Sequence, residues 1–78
     1  MTDLKALDAS IMDAHEREDL HALASLYGQA GAIMEAEQDI DAACFLYTQA
    51  YIFSLQAGLP DAQRLKNILH GYGRETED

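Results

Sequence analysis

Acidic residues alternate along one short stretch, EAEQDID, which places Glu35, Glu37, Asp39 and Asp41 at every second position. Carboxylates at alternate positions could supply oxygen ligands to Ca²⁺ or Mg²⁺. A calcium loop of the EF-hand type also needs a central glycine, and this stretch lacks one and runs directly into the apolar sequence IDAACFL. We therefore predict no metal site here, and interpret the acids as helix caps and as charges that stabilise a helix N-terminus.

Histidines could also bind a metal or act as bases, and the chain has three of them, His15, His21 and His70. His15 and His21 are six positions apart, a spacing that does not place two side chains on one helix face. No His-x3-His pair occurs, and the Glu-x-x-His spacing from Glu18 to His21 begins in the turn before the predicted second helix rather than on one helix face. Transition-metal sites in helical proteins use such pairs, so we interpret the histidines as surface or boundary residues.

Nucleophilic catalysis needs a Ser, Thr or Cys beside a base, and the sequence contains no recognisable motif of that kind. The single cysteine, Cys44, lies in an apolar run and is typical of a small core residue. The glycines of GYGRE precede no helix whose amides could bind a phosphate. We therefore predict a protein that is not an enzyme and has no catalytic residues and no cofactor.

The residue types and their periodicity predict an all-α fold. The chain has 78 residues, no valine and no stretch with the alternation of a strand, so we treat residues 1–78 as one helical domain. A core of this size is marginal, and oligomerisation is one usual remedy. We predict three to four antiparallel helices with a buried, central third helix. The predicted ranges are 3–15, 20–36, 40–57 and 60–71, followed by a frayed polar tail over 74–78.

Two segments twenty residues apart, 19–30 and 39–50, share six of twelve residues. The shared pairs are Asp19/Asp39, Ala22/Ala42, Leu26/Leu46, Tyr27/Tyr47, Gln29/Gln49 and Ala30/Ala50. Asp is a good N-cap, and the leucines, tyrosines and alanines fall where helices touch. We interpret the repetition as one packing solution used by two successive helices.

The interval 27–58 resembles a tetratricopeptide repeat (TPR). Gly31 matches that family's small residue on the first helix, Ala43 and Ala50 match its two alanines on the second, and Tyr47 matches its aromatic residue. The resemblance covers a single partial repeat and implies a helical hairpin. It also implies that the protein binds other proteins or peptides.

The chain departs from the TPR pattern at several positions. Tyr27 stands where the family has tryptophan, Met34 replaces a tyrosine, and the closing proline comes late, at Pro60. Members that grip a peptide carboxylate use Lys, Arg and Asn on the first helix, and no such residue occurs between 20 and 36. We therefore expect TPR-like packing without that carboxylate clamp.

Phe45 and Ile52 fall on the polar sector of the third helix, beside Gln49 and Gln56. Two interpretations stay open at this point. The first or fourth helix covers these residues within one chain, or the four residues form a protein interface. An exposed aromatic and aliphatic pair rimmed by glutamines suits an isologous homodimer.

Charge narrows the choice of partner. The net charge of −9 disfavours nucleic acid and anionic membranes, which both attract clustered Lys and Arg. No signal peptide or membrane-spanning run is seen and the thiol is unpaired, so we predict a cytoplasmic protein. We expect a small protein–protein interaction or assembly module that self-associates. The alternative is an acidic regulatory protein that binds a basic groove of a partner protein.

Overall fold

The computed structural model describes residues 4–74, and four α-helices make up most of this range. They are α1 (Leu4–Glu16), α2 (Leu20–Ala36), α3 (Ile40–Ala57) and α4 (Asp61–Gly71). No strand occurs among the described residues, so the prediction of an all-helical chain is confirmed. The predicted start of the first helix at position 3 and residues 75–78 of the predicted tail lie outside the described residues.

Each of the three connections is three residues long, and each contains one residue with a positive φ. This residue is the middle one in the first two connections, Glu18 with a φ of 53° and Gln38 with 65°. It is the first one in the third connection, Gly58 with 70°. The amide of the following residue donates to the carbonyl five positions earlier, as in a Schellman motif. These bonds join Asp19 to Ala14, Asp39 to Met34 and Leu59 to Ser54, at 3.0, 2.9 and 2.8 Å.

Side chains cap the N-termini of the two central helices. The Asp19 carboxylate accepts a hydrogen bond from the Ala22 amide at 3.1 Å, and the Asp39 carboxylate accepts one from the Ala42 amide at 3.2 Å. Each cap satisfies one of the amides that the first turn of a helix leaves unpaired. The helix α4 has no such side-chain cap and is preceded by Pro60, whose φ of −66° already suits a helix.

The helices form a thin layer in which each packs against its neighbours in sequence. The described chain measures 31 × 29 × 15 Å. Because the connections are short, successive helices run antiparallel. One core cluster lies between α1 and α2 and contains Leu7, Ile11, Ala14, Leu23 and Ala30. The other lies between α3 and α4 and contains Ala43, Cys44, Tyr47, Ala50, Tyr51, Ala62, Leu65 and Leu69.

The helices α2 and α3 lie inside the layer, because each packs against two others. The helix α2 packs against α1 and α3, and α3 packs against α2 and α4. Ala43 and Ala50 are completely buried on α3, which lets neighbouring helices approach it closely. The helix α3 was expected to be buried nearly all round, and it is buried only on the sides that face other helices. The side of α3 that carries Phe45, Ile52 and Leu55 faces solvent.

Candidate interaction surface

The exposed side of α3 is apolar at positions spaced three and four residues apart. Phe45 is 63 % exposed, Ile52 38 % and Leu55 54 %. Thr48 lies between them, which gives spacings of three, four and three residues. We use the name α3 outer face for Phe45, Thr48, Gln49, Ile52, Leu55 and Gln56.

The four residues predicted as an interface lie together on this surface. Phe45, Ile52 and Gln56 are exposed, and Gln49 is half-buried at its edge. The exposure of Phe45 means that neither α1 nor α4 covers its ring within one chain. Of the two interpretations left open by the sequence, internal coverage therefore does not describe this residue.

Two members of the surface, Thr48 and Leu55, are not among the four residues predicted as an interface. The signal that could have found them is the seven-residue spacing, since Phe45 with Ile52 and Thr48 with Leu55 form two interleaved pairs. The Thr48 hydroxyl donates to the Cys44 carbonyl at 2.8 Å. That bond satisfies the hydroxyl inside its own helix, so it needs no partner at the surface.

The α3 outer face has no ionised side chain. No Asp, Glu, Lys or Arg occurs between positions 42 and 60, although the whole chain has a net charge of −9. The nearest acid, Asp41, lies in the first turn of α3 and pairs with Arg74. A neutral, partly apolar face of this length can pack against another apolar surface without burying an unpaired charge.

A second feature is an aromatic cluster that joins α1, α2 and α3. The rings of Tyr27 and Phe53 are stacked with centroids 5.7 Å apart, and His15 lies edge-on to both. The His15 Nε2 atom is 3.0 Å from the Tyr27 hydroxyl, within hydrogen-bond distance. The cluster fixes the end of α1 against the hairpin of α2 and α3.

A groove of about 330 Å³ lies between α2 and α4, with Tyr47 on its floor. Arg64, the cation on its wall, pairs with Asp61 at 3.3 Å. The α2 side presents small and polar residues, namely His21, Ala24, Ser25, Gly28, Gln29 and Ala32. Both side chains of that pair are more than half exposed, so the pair is weak, and α2 contributes no Lys, Arg or Asn to the groove.

The acidic turn positions helices rather than forming a cluster of ligands. Glu35 accepts a hydrogen bond from Tyr47 at 2.7 Å and another from Tyr72, which joins the end of α2 to the residue after α4. These bonds lower the pKa of Glu35, with Tyr72 as the largest cause. Burial, with the Glu35 bond second, raises the pKa of Tyr47. Of the other acids, Asp39 caps α3 and Asp41 holds Arg74, the first residue of the predicted tail.

Within residues 4–74, no three or more His, Cys, Asp or Glu side chains are grouped closely enough to hold a metal ion. Cys44 is buried in the cluster between α3 and α4. In the same part of the chain, no helix combines the length and the apolar character needed to cross a membrane.

Comparison with known proteins gives this chain no family. No protein-family model matches it, and neither the curated proteins nor the solved structures include one with significant similarity. The function is therefore inferred from the surfaces described above.

Proposed function

We propose that this protein is a non-enzymatic, TPR-like interaction module that self-associates through the α3 outer face. The observation that carries the proposal is a charge-free, apolar helix face exposed on a strongly acidic chain. Single exposed apolar residues are ordinary, but three at helical spacing on one face are typical of a contact surface.

A second copy of the chain is the partner that fits this face best. Two chains of net charge −9 repel each other wherever their acids face one another. They meet with the least repulsion where neither carries charge, and the α3 outer face meets that condition over most of the length of α3. An isologous contact also needs a surface that complements itself, and glutamines can donate to and accept from their own copies.

The TPR-like part of the proposal is supported by the hairpin of α2 and α3. Gly31 of α2 contacts the ring of Tyr47, and Ala43 and Ala50 are fully buried on α3. These are the positions at which the resemblance expects small and aromatic residues. Tetratricopeptide repeats serve protein–protein contact, which agrees with an assembly role.

The test is the absolute mass in solution, measured by size-exclusion chromatography with light scattering over a range of protein concentrations. We expect twice the 8.6 kDa of one chain, in low and in high salt. Salt should leave the dimer intact because an apolar contact without charges is not screened. Phe45→Asp should give a monomer, since it would bury a carboxylate without a partner.

Met12→Asp is the matched control, because Met12 is another exposed apolar residue, 67 % exposed on α1. It should remain a dimer. If the wild-type chain is a monomer at every concentration, or if Phe45→Asp remains a dimer, self-association through this face is wrong.

A second candidate function, the acidic regulator, is favoured by the net charge alone. A partner with a basic groove would bind the exposed carboxylates, and such binding weakens as salt is added. Glu37→Gln with Asp41→Asn would then reduce binding to a basic partner. The same pair of changes should leave the mass of the dimer unaltered.

A further inference from the structure

We propose that two copies pair antiparallel through their α3 outer faces, with Phe45 of each copy against Leu55 of the partner subunit. This inference rests on the proposed self-association and adds its geometry. Thr48 of each copy then meets Ile52 of the partner subunit. Both contacts have their midpoint at Ala50, so a single two-fold axis at the level of Ala50 relates the two chains.

The spacing of the exposed residues supports interlocking of two helices. Phe45 and Ile52 take one position of a seven-residue repeat, and Thr48 and Leu55 take the position three residues later. Side chains at these two positions form the contact line of paired helices, where each inserts between residues of the other helix. In an antiparallel pair the two positions face each other, so each contact joins a larger with a smaller side chain.

Asp41 decides between antiparallel and parallel pairing. It lies four residues before Phe45 and extends the same line of positions toward the N-terminus of α3. A parallel pair would place the two Asp41 carboxylates side by side and bring their Arg74 partners into the same place. An antiparallel pair separates the two carboxylates by about 27 Å, because eighteen positions then lie between them at about 1.5 Å each. Opposed helix dipoles also favour this arrangement.

The relative position of the two Gln49 side chains differs between antiparallel and parallel pairing. Gln49 lies one residue from the proposed axis, beside the line of apolar residues. In the antiparallel pair the two Gln49 side chains lie on the same side of the contact, about 3 Å apart along the helices. Their amides can hydrogen-bond each other. In a parallel pair they would lie on opposite sides, and the two Leu55 side chains would meet instead.

Cysteine cross-linking distinguishes these arrangements. In a Cys44→Ala background, Thr48→Cys and Ile52→Cys chains are mixed and oxidised, Leu55→Cys is oxidised alone, and both samples are run on non-reducing gels. We expect the mixture to shift from 8.6 kDa to twice that mass, and Leu55→Cys to remain at 8.6 kDa. Disulfide formation requires Cα atoms within about 7 Å. The antiparallel geometry brings position 48 opposite position 52, and it separates the two positions 55 by about 15 Å along the helices.

Gln63→Cys, on the exposed side of α4, is the matched control and should not cross-link. Light scattering of each variant before oxidation separates the two proposals. If the variants are dimers and Leu55→Cys cross-links, with or without the mixture, the pairing is parallel. If the variants are dimers and neither cross-links, the contact lies elsewhere; either result overturns the antiparallel arrangement. If the wild-type chain is a monomer, self-association itself is wrong.

Discussion

Two carbons of the Tyr47 ring lie 2.8 Å from the point at which a Cβ atom on residue 31 would stand. Residue 31 is glycine, and the ring occupies the space that its missing side chain leaves. A glycine inside a helix destabilises it by about 1 kcal/mol relative to alanine. The close approach offsets that loss, because it lets Tyr47 become almost fully buried between α2 and its neighbours.

Gly31→Ala should therefore lower the free energy of unfolding by about 1–3 kcal/mol, the usual effect of forcing a methyl group into a packed site. The matched control is Gly28→Ala, three residues earlier on α2, where an added Cβ meets nothing within 4 Å. That change should stabilise the protein by about 0.5–1 kcal/mol. Urea unfolding measures both, and equal effects of the two alanines would contradict the role of Tyr47.

The N-cap of α3 gives a second prediction. Asp39→Ala should reduce the free energy of unfolding by about 1 kcal/mol, because the Ala42 amide loses its acceptor. Asp39→Asn keeps an oxygen in the same place and should retain most of the stability. If Asn destabilises as much as Ala, the charge of Asp39 matters more than its hydrogen bond.

Glu35 makes the stability depend on pH. Its pKa is lowered in the folded chain by hydrogen bonds from Tyr72 and Tyr47. A carboxyl group with a lowered folded pKa contributes stability above its unfolded value of 4.5, and loses that contribution as the pH falls through the folded value. We expect Glu35→Gln to destabilise the chain at pH 7 and to flatten the loss of stability below about pH 4.5.

Glu37→Gln is the control for this effect, because Glu37 is exposed two residues away. Urea unfolding of both variants at neutral and acid pH makes the comparison. A Glu35→Gln variant that loses stability with acid as steeply as the wild type would show that the tyrosine bonds contribute nothing.

The two phenylalanines of α3 should respond differently to the same substitution. Phe53 stacks on Tyr27 and packs against the cluster between α1 and α2, so Phe53→Ala should destabilise the fold by about 2 kcal/mol. Phe45→Ala removes an exposed ring and should alter the stability of the separate chain by less than about 0.5 kcal/mol. It should instead weaken the dimer, which light scattering at decreasing concentration measures. The reverse pattern would place Phe45 in the core.

The helices could be predicted from the sequence because their ends are marked locally. Asp19 and Asp39 precede α2 and α3, and Gly58 follows α3, so the bounds of those two helices agree with the predicted ones. The Asp cap, the short turn and the positive φ all depend on a few adjacent residues. Such features are present in the sequence as a pattern.

The contacts between distant residues could not be predicted in this way. Tyr72 and Glu35 are 37 positions apart, and nothing in either segment indicates that α4 ends beside the end of α2. The contact of His15 on α1 with Phe53 on α3 also joins distant residues and could not be predicted for the same reason. Leu55 was missed for another reason: on a helix with few polar residues, periodicity alone does not tell which apolar side lacks a neighbour.

The thin layer of helices has a consequence for how the chain folds. Each helix packs against the one before or after it, and the three connections are equally short. Contacts between neighbours in sequence close small loops, so little chain entropy is lost before packing begins. Helical chains with such local contacts belong to the class that folds within microseconds to milliseconds. The pairing of one helix with the next therefore need not wait for a long loop to close, at any of the three connections.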